Sequence, residues 1–450
     1  MSKRNFILLI IILIIAVVAV FGFLYFRPIS TTPGNTSAGT NFFSQFNPFG
    51  TSKPTTPVVT PPVNVSGYVP PTTTETSPAK LVKVSSMPIA GFTVFTKERL
   101  KDNPTPALPL SGTGVNPVPP AKGGSGGLKP ITPPTELVEA LRYVAKATGN
   151  IYETFSDKIA EKQFSSTIIP KVYDSYFGNN GGSVVMRYLK GDDQTIETFT
   201  GTLPKEYLGA DPSTVNDIKG SFLPDNIKDI SFSPDASKIF YLFNNGNDMI
   251  GTTLSFLDNK KVQIFDSPFT EWLSQWPSNN IITFSTKPSA NIPGYMYSTD
   301  GTGKNLTKVL GDINGLTTLT SPSGKLILYG DNNLSLNIYH TDTRNSDVLG
   351  LKTLPEKCVW GSVSDVIYCA VPKSIDIGQY PDTWYQGEVS FNDQIWKIDV
   401  KTGNTTLIID PATITGGQEI DGTKLALDQG ENYLFFVNKK DSFLWELKLK

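Results

Sequence analysis

A Ser-Pro turn followed by alternating apolar residues recurs along this chain, and it constrains the fold more than any other sequence feature. It reads SFSPDASKIFYLF at residues 231–243 and LTSPSGKLILYG at residues 319–330. Apolar residues that alternate after a polar turn predict a β-hairpin. Two copies of the pattern predict that one hairpin unit is used repeatedly along the chain.

Further copies of this turn follow at a regular interval. Their sequences and turn positions are VYDSYFGNNGGSVVMRYL (Asn180), TEWLSQWPSNNIITFST (Pro277), EKCVWGSVSDVIYCAV (Ser362) and TKLALDQGENYLFFVN (Gln429). In sequence, 43 residues separate Pro234 from Pro277, and 45 residues separate Pro277 from Pro322. A period of about 40–45 residues made of strands is typical of β-propeller blades. Each blade is a sheet of four antiparallel strands, named a to d from the axis outwards.

The two ends of the repeat region predict how the propeller closes. Six a–b hairpins follow from Val172 onwards, and the last unit reaches the C-terminus with strand c at 443–449, before a strand d. The segment LVKV, which begins at Leu81, can supply that missing outer strand. A first blade then starts at 89–95 and continues after an insertion with LRYVAKATG, NIYETF and EKQF. We therefore predict an all-β, seven-bladed propeller whose closure leaves no open sheet edge.

The repeats also resemble those of known propellers. The Ser-Pro turns before KIFYLF and KLILYG, and hairpin turns such as Asp300-Gly301, resemble the repeats of TolB-type periplasmic proteins and of prolyl-oligopeptidases, within the WD-like propellers. The resemblance covers residues 81–450 as an architecture, although only two repeats match the Ser-Pro motif closely. It implies a scaffold on an envelope protein and transfers no catalytic residues.

The N-terminus carries a predicted transmembrane helix. Residues Phe6 to Phe26, FILLIIILIIAVVAVFGFLYF, contain no charge and no proline, and about 20 apolar residues span a bilayer. Lys3 and Arg4 precede the span and only Arg27 follows it closely, which favours a cytoplasmic N-terminus and a propeller outside the cytoplasm. A cleaved signal peptide is the alternative, but its apolar core is usually shorter and no small-residue cleavage site follows this run.

Composition divides the rest of the chain. Residues 1–27 form the cytoplasmic tip and anchor, and residues 28–79 are rich in Pro, Thr and Ser with almost no charge. Such a segment buries too little apolar surface to fold, so we predict a disordered stalk. The propeller is predicted at 80–450, interrupted by a second disordered segment at about 98–135.

Charge and histidine content exclude several classes of function. The chain has 39 Lys plus Arg against 41 Asp plus Glu, so no basic surface indicates nucleic-acid binding. His340 is the single histidine, so a histidine-rich metal site is excluded and a Ser-His-Asp site would depend on this residue. The sequence accordingly predicts no cofactor and no metal.

One long loop is predicted on the outward face of the propeller. The d–a and b–c loops lie on one face, here called the top face, and the stalk joins at the opposite face. The b–c loop of the sixth blade runs from Pro372 to Asp393 and contains aromatic residues next to carboxylates, namely Tyr380, Asp382, Trp384, Tyr385 and Glu388. Exposed aromatics beside carboxylates are typical of contacts with protein or carbohydrate. The alternative is that Trp384 and Tyr385 fold back and close the top of the channel.

Cys358 and Cys369 lie nearly opposite each other across the sixth a–b hairpin. Outside the cytoplasm this pair can form a disulfide if its geometry is suitable. The alternative is two small buried thiols, because free cysteine is commonly buried.

The function that the sequence favours is binding. We predict a membrane-tethered binding or scaffold module for a protein or polysaccharide partner. The alternative is a carbohydrate-active enzyme with carboxylates at the top of the channel, for which Asp382 and Glu388 are the sequence candidates. Such an enzyme needs two carboxylates about 5–10 Å apart.

Overall fold

A computed structural model describes residues 81–101, 135–206, 217–414 and 417–450. In these ranges the chain forms seven four-stranded antiparallel sheets arranged as blades. The first strands of most neighbouring blades contact one another, which places them around the central axis. The predicted all-β, seven-bladed propeller is therefore confirmed.

The blades follow the chain order, and each is built from strand a to strand d. Blade 1 consists of β2 (Ile89–Leu100), β3 (Thr135–Ala145), β4 (Ile151–Phe155) and β5 (Lys162–Gln163). Blade 2 consists of β6 (Val172–Gly178), β7 (Ser183–Leu189), β8 (Ile196–Thr202) and β9 (Lys219–Phe222). Blade 3 consists of β10 (Asp229–Phe232), β11 (Lys238–Asn245), β12 (Asp248–Ser255) and β13 (Lys261–Ser267). Blade 4 consists of β14 (Trp272–Ser278), β15 (Ile281–Thr286), β16 (Pro293–Thr299) and β17 (Thr307–Asn314). Blade 5 consists of β18 (Thr317–Thr320), β19 (Leu326–Gly330), β20 (Ser335–His340) and β21 (Ser346–Lys352). Blade 6 consists of β22 (Cys358–Trp360), β23 (Val366–Pro372), β24 (Asp393–Asp399) and β25 (Thr405–Ile409). Blade 7 consists of β26 (Gly422–Leu427), β27 (Tyr433–Asn438), β28 (Leu444–Lys448) and β1 (Leu81–Lys83).

The seventh blade closes the ring with strands from both ends of the repeat region. Leu81 pairs with Leu447 and Lys83 with Trp445 in an antiparallel register. The amide of Val84 extends this pairing by donating to the carbonyl of Leu444 at 2.8 Å. The predicted closure through the LVKV segment is thus confirmed.

The hydrophobic core lies between adjacent blades, because the middle strands of each sheet are buried on both faces. Between blades 5 and 6, for example, Leu328 and Leu336 belong to one cluster with Ile367 and Val371. Glycine is required at one close approach between two innermost strands. A Cβ atom on Gly91 would lie 1.9 Å from the backbone oxygen of Ser175 in the next blade.

The first a–b connection is longer than a tight turn. β2 and β3 pair as far as Leu100 and Thr135, so the described hairpin continues two residues beyond the predicted start of the insertion near residue 98. Most of that insertion, the predicted stalk and the predicted membrane span Phe6–Phe26 lie outside the described residues. Within the described ranges, no helix combines the length and the apolar character that a membrane crossing requires.

The sixth blade contains a disulfide. Cys358 on β22 pairs directly with Cys369 on β23 in the strand register. Their sulfur atoms are bonded, and their Cα atoms are 4.0 Å apart. This crosslink fixes the innermost hairpin of the blade that carries the long top loop.

Candidate functional site

The mouth of the channel on the top face is surrounded by residues at or near the start of each strand a. Around the ring, from blade 1 to blade 7, these are Ala90, Asp174, Asp229, Ser274, Thr318, Glu356 and Lys424. Their contacts divide the mouth into two parts. Ion pairs fill the part next to blades 7, 1 and 2, and a cavity occupies the part between blades 3 and 6.

Paired charges close the first part of the mouth. The ammonium of Lys424 donates to the carbonyl of Ala90 at 2.7 Å and lies 2.5 Å from Oδ1 of Asp174. The other carboxylate oxygen of Asp174 accepts from the hydroxyl of Tyr176 at 2.7 Å, and Arg187 Nη1 lies 3.4 Å from it. Lys424 of blade 7 thereby connects blades 1 and 2, through the carbonyl of Ala90 and the carboxylate of Asp174.

The second part is a polar cavity of about 230 Å³. Its lining includes Asp229, Ser274, Gln275, Thr318, Glu356 and Tyr385. Asp229 accepts from the backbone amide and the hydroxyl of Ser274 at 2.6 and 2.7 Å. Burial raises the pKa of Asp229, although these hydrogen bonds oppose the rise. The cavity wall therefore offers hydroxyl, amide and carboxyl groups.

Glu356 and Tyr385 form the polar pair nearest the covering loop. The hydroxyl of Tyr385 donates to Oε1 of Glu356 at 2.5 Å. Part of the Glu356 side chain is exposed at the cavity. Its carboxyl group is surrounded by protein atoms, which disfavour the charged form. Burial accordingly raises the pKa of Glu356 to about 7, against the lowering effects of Tyr385, Lys357 and Lys439. A carboxyl group with this pKa can either donate or accept a proton near neutral pH.

The long loop between β23 and β24 crosses the channel mouth and contains a short helix, α1 (Asp382–Tyr385). At one end of α1, the carboxylate of Asp382 accepts from the amide of Ala290 at 2.7 Å, on the b–c loop of blade 4. At the other end, the indole nitrogen of Trp384 donates to Oδ2 of Asp421 at 3.0 Å, next to the start of blade 7. Lys439 also donates to the carbonyl of Trp384. Contacts with blades 4 and 7 therefore hold α1 in place over the mouth.

A buried charge cluster lies beneath this loop. The side chains of Lys357, Asp393 and Asp421 are 0% exposed. The ammonium of Lys357 lies 2.8 Å from Oδ2 of Asp393, forms an ion pair with Asp421 and donates to the carbonyl of Gly422 at 3.1 Å. Burial raises the pKa of Asp393 to about 6 despite the nearby cation. Burial also disfavours ionised Asp421, but the attraction of Lys357 outweighs it and lowers that pKa.

The same carboxylate of Asp421 fixes the loop. Besides Lys357 and Trp384, it accepts from the hydroxyl of Ser390 and the amide of Phe391, each at 3.1 Å. The loop is therefore attached to the buried cluster in its middle, at Trp384, and near its C-terminal end, at Ser390 and Phe391.

The structure assigns different places to the five loop residues singled out from sequence. Tyr380 and Trp384 are only 3% and 5% exposed and pack with Phe391, so these two are not exposed aromatics. For Trp384 and Tyr385 the arrangement is the fold-back alternative, in which the loop covers the channel. Tyr385 is 38% exposed and lines the cavity, Asp382 is half-buried and anchors α1, and Glu388 is exposed.

The residues that sequence reasoning missed are Glu356, Asp229 and the Lys357 cluster. Glu356 and Asp229 share one signal, since each lies within two residues of the start of a strand a. A search of those positions in every repeat would have found them. In the described part of the chain, no group of three or more His, Cys, Asp or Glu side chains is placed to hold a metal ion.

Comparisons with known proteins assign the chain to no family. No protein-family model and no curated protein matches the chain, so the resemblance to TolB-type and prolyl-oligopeptidase repeats gains no support from a family match. Similar solved structures include an oligogalacturonate lyase in complex with manganese, with 8% identity, a TM-score of 0.47 and coverage of 69% of this chain and 85% of that one. The oligogalacturonate lyase from Vibrio parahaemolyticus has 8% identity, a TM-score of 0.45 and coverage of 83% and 99%.

A functionally unknown protein from Desulfotomaculum acetoxidans has 14% identity, a TM-score of 0.40 and coverage of 69% and 89%. Likeness at this level does not bear on what the chain binds or does. The described residues form a seven-bladed β-propeller, and this assignment rests on their own sheet topology.

Proposed function

We propose that this chain is a membrane-tethered binding propeller that receives its ligand at the covered channel mouth, outside the cytoplasm. The observation that carries the proposal is the polar cavity between blades 3 and 6, with Tyr385 in its wall. Long loops of compact domains are often functional, and this loop is held over the cavity by hydrogen bonds to two other blades.

The lining of the cavity favours a neutral, hydroxyl-rich or amide-bearing group. Ser274, Gln275 and Thr318 supply polar atoms, and Glu356 with its raised pKa can donate a hydrogen bond when protonated. About 230 Å³ is small compared with ligand sites of about 300–1,000 Å³. The cavity therefore suits one unit of a larger ligand, such as a sugar of a polysaccharide or a polar side chain of a protein.

The location in the membrane is a separate part of the proposal. It rests on the apolar run Phe6–Phe26 with Lys3 and Arg4 before it, and a structural disulfide is compatible with an oxidising compartment. Protease treatment of intact cells tests it. We expect the propeller to be degraded from outside while the N-terminus stays protected. A mature protein that begins after Phe26 and is released in soluble form would contradict the anchor.

The binding proposal is tested by truncating side chains at the cavity. We expect Tyr385→Ala and Glu356→Ala to reduce capture of the partner by the intact anchored protein about tenfold, the effect of losing an interface anchor. Tyr329→Ala is the matched control, because the hydroxyl of Tyr329 bonds to Ser346 away from the mouth. Capture is measured by crosslinked pull-down and on arrays of neutral oligosaccharides. Unchanged capture by both cavity variants would refute the site.

A second candidate function is carbohydrate hydrolysis or elimination at the same cavity. It is favoured by the presence of two carboxyl groups, Glu356 and Asp229, in the wall of one cavity, where burial raises the pKa of Glu356 to about 7. A proton donor with a pKa near the working pH is what general acid catalysis requires. In that case Glu356→Gln abolishes release of reducing ends from a bound polysaccharide, whereas binding is retained. Wild-type protein that binds the polysaccharide and never cleaves it would leave only the binding function.

A further inference from the structure

A second concave site lies on the top face between blades 1 and 2, separate from the channel-mouth cavity. It is a groove of about 450 Å³, within the size range of ligand sites. The walls come from the loop before β2, the b–c turn of blade 1 and the start of β6. Both loops belong to the face that carries the channel mouth.

The groove is lined mainly by carbon. Met87, Pro88, Val172 and two alanines contribute apolar surface, and the rings of Tyr152 and Tyr173 add aromatic walls. Apart from the two tyrosines, the polar side chains in the lining are Thr148, Lys146 and Lys171. Tyr173 is 40% exposed, so its ring is available to a ligand. A lining of this kind favours an apolar or aromatic side chain.

The charge next to this apolar surface is positive. Lys146 donates to the hydroxyl of Ser442 at 2.8 Å, and in the described ranges no carboxylate lies within ion-pair distance of it. Burial and the neighbouring Lys424 both lower the pKa of Lys146, while Asp174 opposes them. Arg187 adds a third cation, 5.4 Å from the centre of the Tyr173 ring.

Among the described residues, Asp174 is the carboxylate that forms ion pairs with two of these three cations. Asp174 pairs with Lys424 and Arg187, which leaves Lys146 as the cation that an incoming anion would neutralise. The fourth cation, Lys171, differs from Lys146 because it already pairs with exposed Asp193 at 2.8 Å.

We propose that this groove binds the C-terminal residue of a peptide, with its apolar or aromatic side chain against Tyr152 and Tyr173 and its carboxylate at Lys146. A C-terminal residue carries both an apolar side chain and a carboxylate on one Cα atom, which matches one cation beside an apolar surface. A sugar fits less well, because its hydroxyl groups would lie against carbon, and a buried hydroxyl without a hydrogen-bond partner weakens binding.

The test uses the full chain in lipid nanodiscs and two fluorinated probes observed by ¹⁹F NMR. The probes are N-acetyl-4-fluorophenylalanine and its C-terminal amide, which differ only in the carboxylate. We expect the acid to bind at least about fivefold more tightly than the amide, since a charge-assisted contact is about twice as strong as a neutral one. In Lys146→Met the two affinities should become equal, and in Lys146→Arg the preference should persist.

Lys352→Met is the matched control, because it removes an exposed lysine from the outer strand of blade 5 and should leave the preference unchanged. Thermal unfolding of each variant verifies that it is folded, and Lys146→Arg provides the readout if Lys146→Met does not fold. Equal binding of acid and amide to the wild type, or a preference that survives in Lys146→Met, would overturn the proposal. Displacement of the probe by glucuronate more readily than by N-acetylphenylalanine would assign the groove to acidic sugars instead, and would also overturn it.

Discussion

Replacing Lys357 by methionine tests the role of the buried charge cluster under the channel-mouth loop. Methionine has a similar length and keeps the site filled, but it removes the cation that lies between Asp393 and Asp421. All three side chains are 0% exposed. In the variant, two buried carboxylates are left without a cation, and the carbonyl of Gly422 loses a donor.

The expected loss of unfolding free energy is large. Removing one partner of a buried ion pair costs about 3–5 kcal/mol, because an uncompensated charge stays in the interior. The variant protein can avoid part of this cost by protonating one carboxyl of the pair. Since the folded-state pKa of Asp393 is raised even with Lys357 present, it rises further without it. The folded variant then binds more protons than its unfolded chain, so its stability increases as the pH falls towards about 5.

Urea denaturation of the full chain at pH 7.5 and at pH 5 measures both effects. We expect the difference from the wild type to be about 3–5 kcal/mol at pH 7.5 and smaller at pH 5. Lys352→Met, on the surface, should change stability by less than about 0.5 kcal/mol. Adding Asp393→Asn to Lys357→Met removes one of the stranded charges and should recover part of the loss. A loss under about 1 kcal/mol at pH 7.5, or one that is the same at both pH values, would refute the reasoning.

Three further predictions concern the ring and the cavity. Deleting residues 81–84 removes the outer strand of blade 7 and should abolish cooperative melting or cause aggregation, whereas removing the chain up to Ser77 should not. Equal melting of both truncations would contradict the closure of the ring through this strand. Gly91→Ala places a methyl group against the next blade and should lower the melting temperature by several degrees in calorimetry. Gly246→Ala is the control for backbone strain, because an added Cβ atom there meets no atom within 4 Å and only the cost of the positive φ remains. The folded-state pKa of Glu356 is raised from 4.5 to about 7, so its contribution to stability declines as the pH rises through that window. Glu356→Gln should therefore make the melting temperature less dependent on pH between pH 5 and about pH 8.

The architecture was accessible from sequence because its determinants are local or countable. The Ser-Pro turn and the alternation around Pro234 and Pro322 depend on neighbours a few residues away, and each hairpin formed where that pattern predicted it. The closure through Leu81 followed from counting, since the last unit lacked one strand. Neither inference required knowledge of which side chains meet across the propeller.

The arrangement of the site depends on contacts that no local pattern reveals. Trp384 is buried because Asp421, distant in sequence, accepts its indole hydrogen at 3.0 Å. A Trp-Tyr pair next to carboxylates is compatible with an exposed binding loop and with a covering loop, so the sequence left both open. Lys357 in the stretch PEKCVW also reads as an ordinary surface lysine until the fold brings Asp393 and Asp421 to it.

The buried cluster and the cavity act as one structural unit through consecutive residues of α1. Trp384 donates a hydrogen bond to Asp421 inside the protein, and Tyr385 donates one to Glu356 at the cavity wall. Apolar packing alone would hold the loop down, and well-packed apolar groups often stabilise a fold as well as a buried ion pair does. Hydrogen bonds add direction, because the acceptor of the Trp384 indole fixes how α1 is rotated about its axis. We infer that the charge cluster serves to orient Tyr385 over the cavity.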